Sequence, residues 1–253
     1  MISERMRAGA FAPALLIIME DKKLPPRLEA IAEWVPNGAK LADVGTDHAL
    51  LPLWLLKKGR ILSAVATDIN EQPLKRAERN AEKAEEDRIR FVLCDGLAAV
   101  DPAEADTVVI AGLGGENIAE ILRRSPWSCR EGMTLILQPM SRTEVLCRSF
   151  FELGLRLRRE QLVEDAGRVY PIFELTHGEM EPWKNGEYYT GPFTMLEQSP
   201  LLHRFLSEQQ RRLRSAVDGL AHSGRDNERM MSLSSSLEDI DTALNKIWKR
   251  KTI

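Results

Sequence analysis

Residues 40–49 read Lys-Leu-Ala-Asp-Val-Gly-Thr-Asp-His-Ala. A strand-length apolar run carries an acid inside it, ends on one glycine and turns polar. Ala49–Lys58 then has the composition of a helix. The alternation repeats outward from there. Ile61–Thr67 reads as a second strand, followed by a helix from Glu71 to about Glu86 with Leu74, Ala77, Ala81 and Ala84 on one face. Ile89–Cys94 and Asp106–Ala111 are the third and fourth strands, and Glu116–Arg124 is the next helix. Met133–Gln138 is the fifth strand, with a helix from about Ser141 to Leu153. Continuously apolar strands separated by helices predict an α/β fold, a Rossmann-like, mostly parallel sheet covered on both faces. Only the five residues Glu164-Asp165-Ala166-Gly167-Arg168 separate Leu155–Val163 from Val169–Thr176, so the sheet is expected to end in an antiparallel hairpin.

Beyond residue 178 the pattern changes. Residues 179–200 are rich in Gly, Pro and aromatics and read as a connector. From Leu201 the chain is helical. Leu202, Leu206, Gln209, Leu213, Ala216 and Leu220 alternate four and three apart, and Met230, Leu233, Leu237, Ile240, Leu244 and Ile247 repeat the spacing. With 222–227 as a turn, residues 201–253 are expected to form an antiparallel, coiled-coil-like helical hairpin; two amphipathic helices lying on the sheet are the alternative. The sheet domain is assigned to residues 23–178, and 1–22 to an N-terminal extension. Arg5 and Arg7 before Ala8–Met19 resemble the head of a signal peptide, but Pro13 interrupts the run and no small-residue cleavage site follows. Met19 is the expected native start.

The chain has 253 residues, 43% hydrophobic and 29% charged, which excludes disorder and low complexity and allows a sizeable core. Cys94, Cys129 and Cys147 form no CxxC pair, which argues against a metal site and a disulfide framework and for a reducing, cytoplasmic setting. No apolar run approaches the roughly 18 residues that span a bilayer, so no membrane partner is expected. The formal net charge of −3 by itself speaks against nucleic acid. Its distribution does not. Residues 201–253 hold ten Lys/Arg against seven Asp/Glu, a balance of +3, leaving −6 for residues 1–200. Arg211, Arg212 and Arg214 form one basic cluster and Lys249, Arg250 and Lys251 another. Both are candidate RNA contacts, with a solvated helix face as the plain alternative.

In open parallel sheets ligands bind beyond the carboxyl ends of the strands. After the first strand, Gly45 permits close approach of a ligand, and Asp43 is a carboxylate that needs a partner if buried, a role a ligand's ammonium would fill. Asp47 either faces the ligand or caps the next helix. His48 is ligand-facing or scaffold. Asp68, 23 residues after Gly45, stands where ribose hydroxyls are gripped, or else caps the helix opened by Asn70. Asp95-Gly96 could accept from an adenine amine or be a turn. Ala111-Gly112-Leu113-Gly114-Gly115 is either a small-residue floor for a flat substrate or an anion nest. Gln138 could read a base edge or cap a helix. GxGxxG, P-loop, HExxH and Ser-His-Asp patterns are missing, which disfavours dehydrogenase, kinase and hydrolase chemistry.

Together DVGTDHALLP, TDINEQPLKRAERNA, CDGL, IAGLGG and LQP, in this order, resemble the bacterial tRNA (adenine-22-N1)-methyltransferase family, as do LPPRLEAIAEWVPNG and GPFTMLEQSP. Thr46, Leu50 and Leu113 are mild departures, where the family pattern has Ser, Tyr and Met. The resemblance covers roughly Leu24 to the C-terminus and implies S-adenosylmethionine as methyl donor and tRNA as partner. It places Asp43, Gly45, Thr46, Asp47 and His48 around the methionine part, Asp68 at the ribose, and Asp95 and Gly96 by the adenine, with Ile69 and Ala111 as further cofactor-binding candidates. Arg27 reaches the donor's carboxylate or closes the pocket. Gly112, Gly114, Gly115 and Gln138 are placed at the target base. Adenine N1 already has a lone pair at neutral pH, so Asp47 and His48 are expected to position and stabilise charge rather than remove a proton. The absence of an Asn/Asp-Pro-Pro-Tyr motif argues against attack by the exocyclic amine. A monomer is expected, with a dimer left open. Two other functions compete: a methyltransferase for small molecules or proteins, and a non-catalytic nucleotide-binding scaffold.

Overall fold

The computed structural model describes residues 23–46, 48–223 and 226–251, without the side chains of 223 and 248–251. The N-terminal extension with Met19, Asp47, and the side chains of Lys249, Arg250 and Lys251 therefore lie outside the described residues. In chain order the elements are α1 (Pro26–Trp34), β1 (Ala39–Val44), α2 (Leu50–Lys57), β2 (Ile61–Asp68), α3 (Glu71–Lys83), β3 (Ile89–Leu93), β4 (Thr107–Gly114) and α4 (Gly115–Arg124). They continue with β5 (Thr134–Ser141), α5 (Thr143–Glu152), β6 (Leu155–Asp165), β7 (Arg168–His177), α6 (Leu202–Ser223) and α7 (Asn227–Lys251).

The sheet runs β3-β2-β1-β4-β5-β7-β6, parallel through β5, with β7 antiparallel to both β5 and β6. β1 is central because its side chains are apolar on both faces: Leu41 and Ala42 are fully buried, one towards each layer of helices. One layer holds α1, α2 and α3, the other α4 and α5. The chain leaves β1 for β2 on one side and later returns to β4 on the other. The crevice between the carboxyl ends of β1 and β4 is therefore the point where strand order reverses.

Three boundaries differ from the sequence reading. β4 does not stop at Ala111. It continues to Gly114, with Leu113 paired to Pro139 and Gly114 to Ser141, and β5 extends with it to Ser141. Gly112 is skipped in the pairing, at φ 84°, a bulge that suits glycine. The anion-nest alternative for this stretch gives way to a paired strand end. The β6–β7 connection shrinks from five residues to two, Ala166 and Gly167, at φ 48° and 75°. Two residues with positive φ match the twist of the flanking strands, so the ladder extends to the Asp165–Arg168 pair.

α6 and α7 pack as the expected hairpin. Leu202, Phe205, Leu206, Leu213 and Ile240 are buried with Leu162 of β6 and Val169 of β7. Among the described residues none between Leu213 and Leu233 is buried. The hairpin base thus lies on the sheet's antiparallel edge while its distal half stands clear.

Glu160 of β6 is buried beneath the connector, and neither carboxyl oxygen has a hydrogen-bond partner among the described residues. It is pressed against Gly191, which leaves no room there for a Cβ. Burial, with Glu187 nearby, pushes its pKa well above the usual carboxyl range. The folded state therefore keeps a proton that the unfolded chain releases above its ordinary value of 4.5. Stability should fall as pH rises from 4.5 towards the folded value. Glu160→Gln is expected to flatten this dependence and to stabilise the protein by about 1–3 kcal/mol at pH 8, with little change at about pH 4. Urea unfolding at the two pH values reads the difference; identical profiles would sink the assignment.

Candidate functional site

The three loops beyond β1, β2 and β3 are tied together. Gly45 and Thr46 donate their backbone N–H groups to the Thr67 carbonyl at 2.9 and 3.0 Å. Thr67 Oγ1 donates to the Gly96 carbonyl at 2.8 Å, and Cys94 N–H donates to the Asp68 carbonyl at 3.0 Å. His48 and Ala49 follow at φ 64° and 51°, unusual for non-glycine residues, and the His48 carbonyl is fixed by Asn80 Nδ2 of α3 at 3.0 Å. A rigid rim therefore surrounds the crevice.

Asp43 lies at the base of that rim and is buried. Thr46 Oγ1 donates to its Oδ2 at 2.6 Å. Among the described residues no cation pairs with it. Desolvation raises its pKa to about 6, partly offset by the Thr46 hydrogen bond. A buried carboxylate with one hydroxyl partner is suited to receive an ammonium group. Thr46 is itself 2% exposed, so it acts by holding Asp43 rather than by presenting its hydroxyl outward.

Asp68 stands at the end of β2. Its Oδ1 accepts from Asn70 N–H at 2.7 Å, which closes the turn into α3, and its Oδ2 is unpartnered among the described residues. Ile69 beside it is 64% exposed, an apolar side chain left uncovered at the crevice. Asp95 is held through both oxygens by Arg124, at 2.6 and 3.1 Å, an exposed pair that lowers the carboxyl pKa. Gly96 is required by packing, since a Cβ there would meet Ile121 at 2.8 Å.

At the β4–β5 end the structure revises three expectations. Gly112 does leave open backbone, and the guanidinium of Arg27 fills the space: a Cβ on Gly112 would lie 3.1 Å from Arg27 Nη1. Gly115 is not a floor for substrate. A Cβ there would fall 2.3 Å from the Arg142 carbonyl, so the glycine serves the contact between the starts of α4 and α5. Gln138 is fully buried, with Oε1 accepting from Arg27 Nη1 at 3.4 Å and Nε2 donating to the Pro139 carbonyl at 2.9 Å. It faces no open surface and serves Arg27 instead of a base edge. Gly114 stays beside Ser141, whose Oγ is 3.4 Å from its hypothetical Cβ, and Ala111 pairs with Gln138 in the ladder.

From Met140 and Ser141 a cleft of about 1090 Å³ runs to the inner faces of α6 and α7. Arg142, Arg168, Arg212 and Arg229 line it. Arg142 is shared with Glu116 at 2.7 Å and Glu144 at 3.4 Å. Arg168, at the start of β7, and Arg212, on α6, both line the cleft and have no ion-pair partner among the described residues. Arg211 lines an adjoining part of the cleft, whereas Arg214 sits 3.6 Å from Asp241 of α7. Arg214 is exposed and shares its charge with Asp241 across the hairpin. The sequence reading missed Arg168 because a single arginine after a turn carries no periodic or cluster signal.

Residues 24–173 match the family model described as a methyltransferase domain. The tRNA (adenine(22)-N(1))-methyltransferase of Bacillus subtilis (strain 168) is 27% identical over 229 residues, 87% of this chain and 96% of its own. A crystal structure of a Streptococcus pneumoniae protein, described as a candidate tRNA (m1A22) methyltransferase, superposes with TM-score 0.76 at 31% identity, covering 88% of this chain and 100% of that one. The same protein in complex with S-adenosyl-L-methionine gives TM-score 0.71 at 32% identity, over 86% and 98% of the two chains.

Proposed function

Because the chain belongs to the bacterial tRNA (adenine-22-N1)-methyltransferase family of methyltransferase-domain proteins, we infer that it methylates N1 of adenine 22 in tRNA, with S-adenosylmethionine as donor. The observation that carries this is the extent of the likeness. It runs through the helical hairpin as well as the sheet, and a small-molecule methyltransferase would have no need of a cationic arm.

The residues present fit the donor. Asp43, buried without a cationic partner, would hold its ammonium, and Arg27 its carboxylate. The second oxygen of Asp68 would take a ribose hydroxyl, exposed Ile69 would cover one face of the adenine, and Asp95-Gly96 would border its edge. When bound, the donor supplies an electrophilic methyl carbon: the N1 lone pair forms the new N–C bond as the S–C bond breaks, and the electron pair leaves on sulfur. No proton has to be removed first. The protein's task is to align N1 behind the methyl and to favour the cationic product, which an acidic crevice does. His48, fixed through its carbonyl, and Asp47 are assigned to this positioning. To reach the crevice the adenine must leave its stack, entering past Met140 and Ser141 from the arginine-lined cleft. Residues 201–253 are then the RNA-gripping arm. No helix among the described residues is long and apolar enough to cross a membrane, and a cytoplasmic site, where tRNA resides, belongs to this reading.

Incubation with unmodified tRNA transcript and methyl-labelled donor tests it. Nucleoside analysis should recover 1-methyladenosine from position 22, and a transcript with guanine at 22 should stay unlabelled. Label on another base, or on protein, would overturn the reading.

A further inference from the structure

The turn between β6 and β7 belongs to no ligand-binding strand end, yet it touches both working parts of the molecule. On one side Asp165 Oδ2 accepts from Arg27 Nε at 2.9 Å, across 138 residues of sequence. Both side chains are mostly shielded, with 18% and 29% of their surface exposed, so this pair is less weakened by solvent than a typical surface pair. Arg27 is completed by Gln138 Oε1 at 3.4 Å and lies over Gly112. On the other side Arg204 of α6 grips the same turn, donating Nη1 to Glu164 at 2.8 Å and Nη2 to the Gly167 carbonyl. Ala166 and Gly167 are the only residues between the strands, both at positive φ, so the turn has no slack.

We propose that Asp165 is a positioning residue for methyl transfer, holding Arg27 across the crevice from a turn that the RNA arm clamps in place. The inference rests on the proposed function, in which Arg27 meets the donor's carboxylate. A guanidinium binds a carboxylate well only when its fork is held in the right plane. Arg27 sits on the first turn of α1, and its side chain must cross to β4. Asp165 takes the inner Nε–H and Gln138 one Nη, which fixes the plane and leaves the remaining N–H groups for the ligand.

The test uses the full chain. Asp165→Ala should raise the Kd for S-adenosylmethionine, measured by calorimetry, by about 10–100-fold, with a comparable fall in kcat/KM for the donor. The KM for tRNA should change little, because the cleft arginines are untouched. Asp165→Asn, whose amide oxygen still accepts from Nε, should recover part of the loss. In a cycle with Arg27→Ala, the double variant should be no worse than Arg27→Ala alone, because Asp165 acts only through Arg27. A general loosening of the turn would instead lower thermal stability and add to the Arg27→Ala loss; that additivity overturns the proposal, as does an unchanged donor Kd in Asp165→Ala. Donor binding needs no tRNA, so these outcomes stand even if the wild-type protein fails to methylate adenine 22, which would overturn the proposed function separately.

Discussion

Asp43→Asn is expected to weaken binding of S-adenosylmethionine by at least about thirtyfold at pH 7.5. Removing one partner of a buried charged pair costs about 2–5 kcal/mol, and each 1.4 kcal/mol is a factor of ten. The wild-type affinity should also depend on pH. Burial raises the Asp43 pKa to about 6, so above that value the carboxylate is charged and ready for an ammonium. Below it, donor binding must first expel a proton, and affinity should fall roughly tenfold per pH unit. The sign reverses for stability without donor. The folded protein holds its Asp43 proton between the ordinary value of 3.8 and about 6, so stability should fall as pH rises through that window and then level off. The donor's ammonium relieves the cost of the buried charge, so the donor should stabilise the protein more at pH 7.5 than at pH 5. Calorimetry between pH 5 and 8 on both proteins checks this. A flat wild-type profile, or an Asp43→Asn protein that binds normally, would remove Asp43 from the site.

The second large effect concerns tRNA. Reversing the two cleft arginines together, Arg168→Glu with Arg212→Glu, should raise the KM for tRNA by about a hundredfold while leaving the donor Kd unchanged. Each is an arginine lining the cleft beyond Ser141 without an ion-pair partner among the described residues. Each phosphate that is no longer neutralised should cut the slope of log affinity against log salt by about 0.9, so the double variant's slope should be shallower by nearly two. Arg214→Glu is the comparison. Its partner is Asp241, so it should affect the salt slope far less. Equal slopes in wild type and double variant would mean that the RNA does not pass through the cleft.

Much of the fold was legible because it is local. β1, β2 and β5 are apolar on both faces, and a strand buried on both sides can only be written as a continuous apolar run. The heptad-like spacing of α6 and α7 likewise reports a buried seam, with Leu206, Leu213, Leu233 and Ile240 buried along it. The glycine run after Ile110 was legible as unusual but not as what it is. A sequence shows that Cβ atoms are missing, not which neighbour occupies the space they vacate. At Gly112 the occupant is Arg27, at Gly115 the Arg142 carbonyl, at Gly96 Ile121.

The alternating architecture, the acids at the first three strand ends and the cationic arm can be read along the chain, because each is written in residues close together in it. Which of these groups meet emerges only once the chain has folded. Asp43 has Thr46 and, among the described residues, no cation, Gln138 is engaged by Arg27, and Asp165 braces Arg27 while Arg204 holds the turn. These pairings depend on where elements far apart along the chain come to lie, 138 residues apart for Arg27 and Asp165. Hydrophobic periodicity selects which face of an element is buried. It carries no information about which polar side chain waits on the other side.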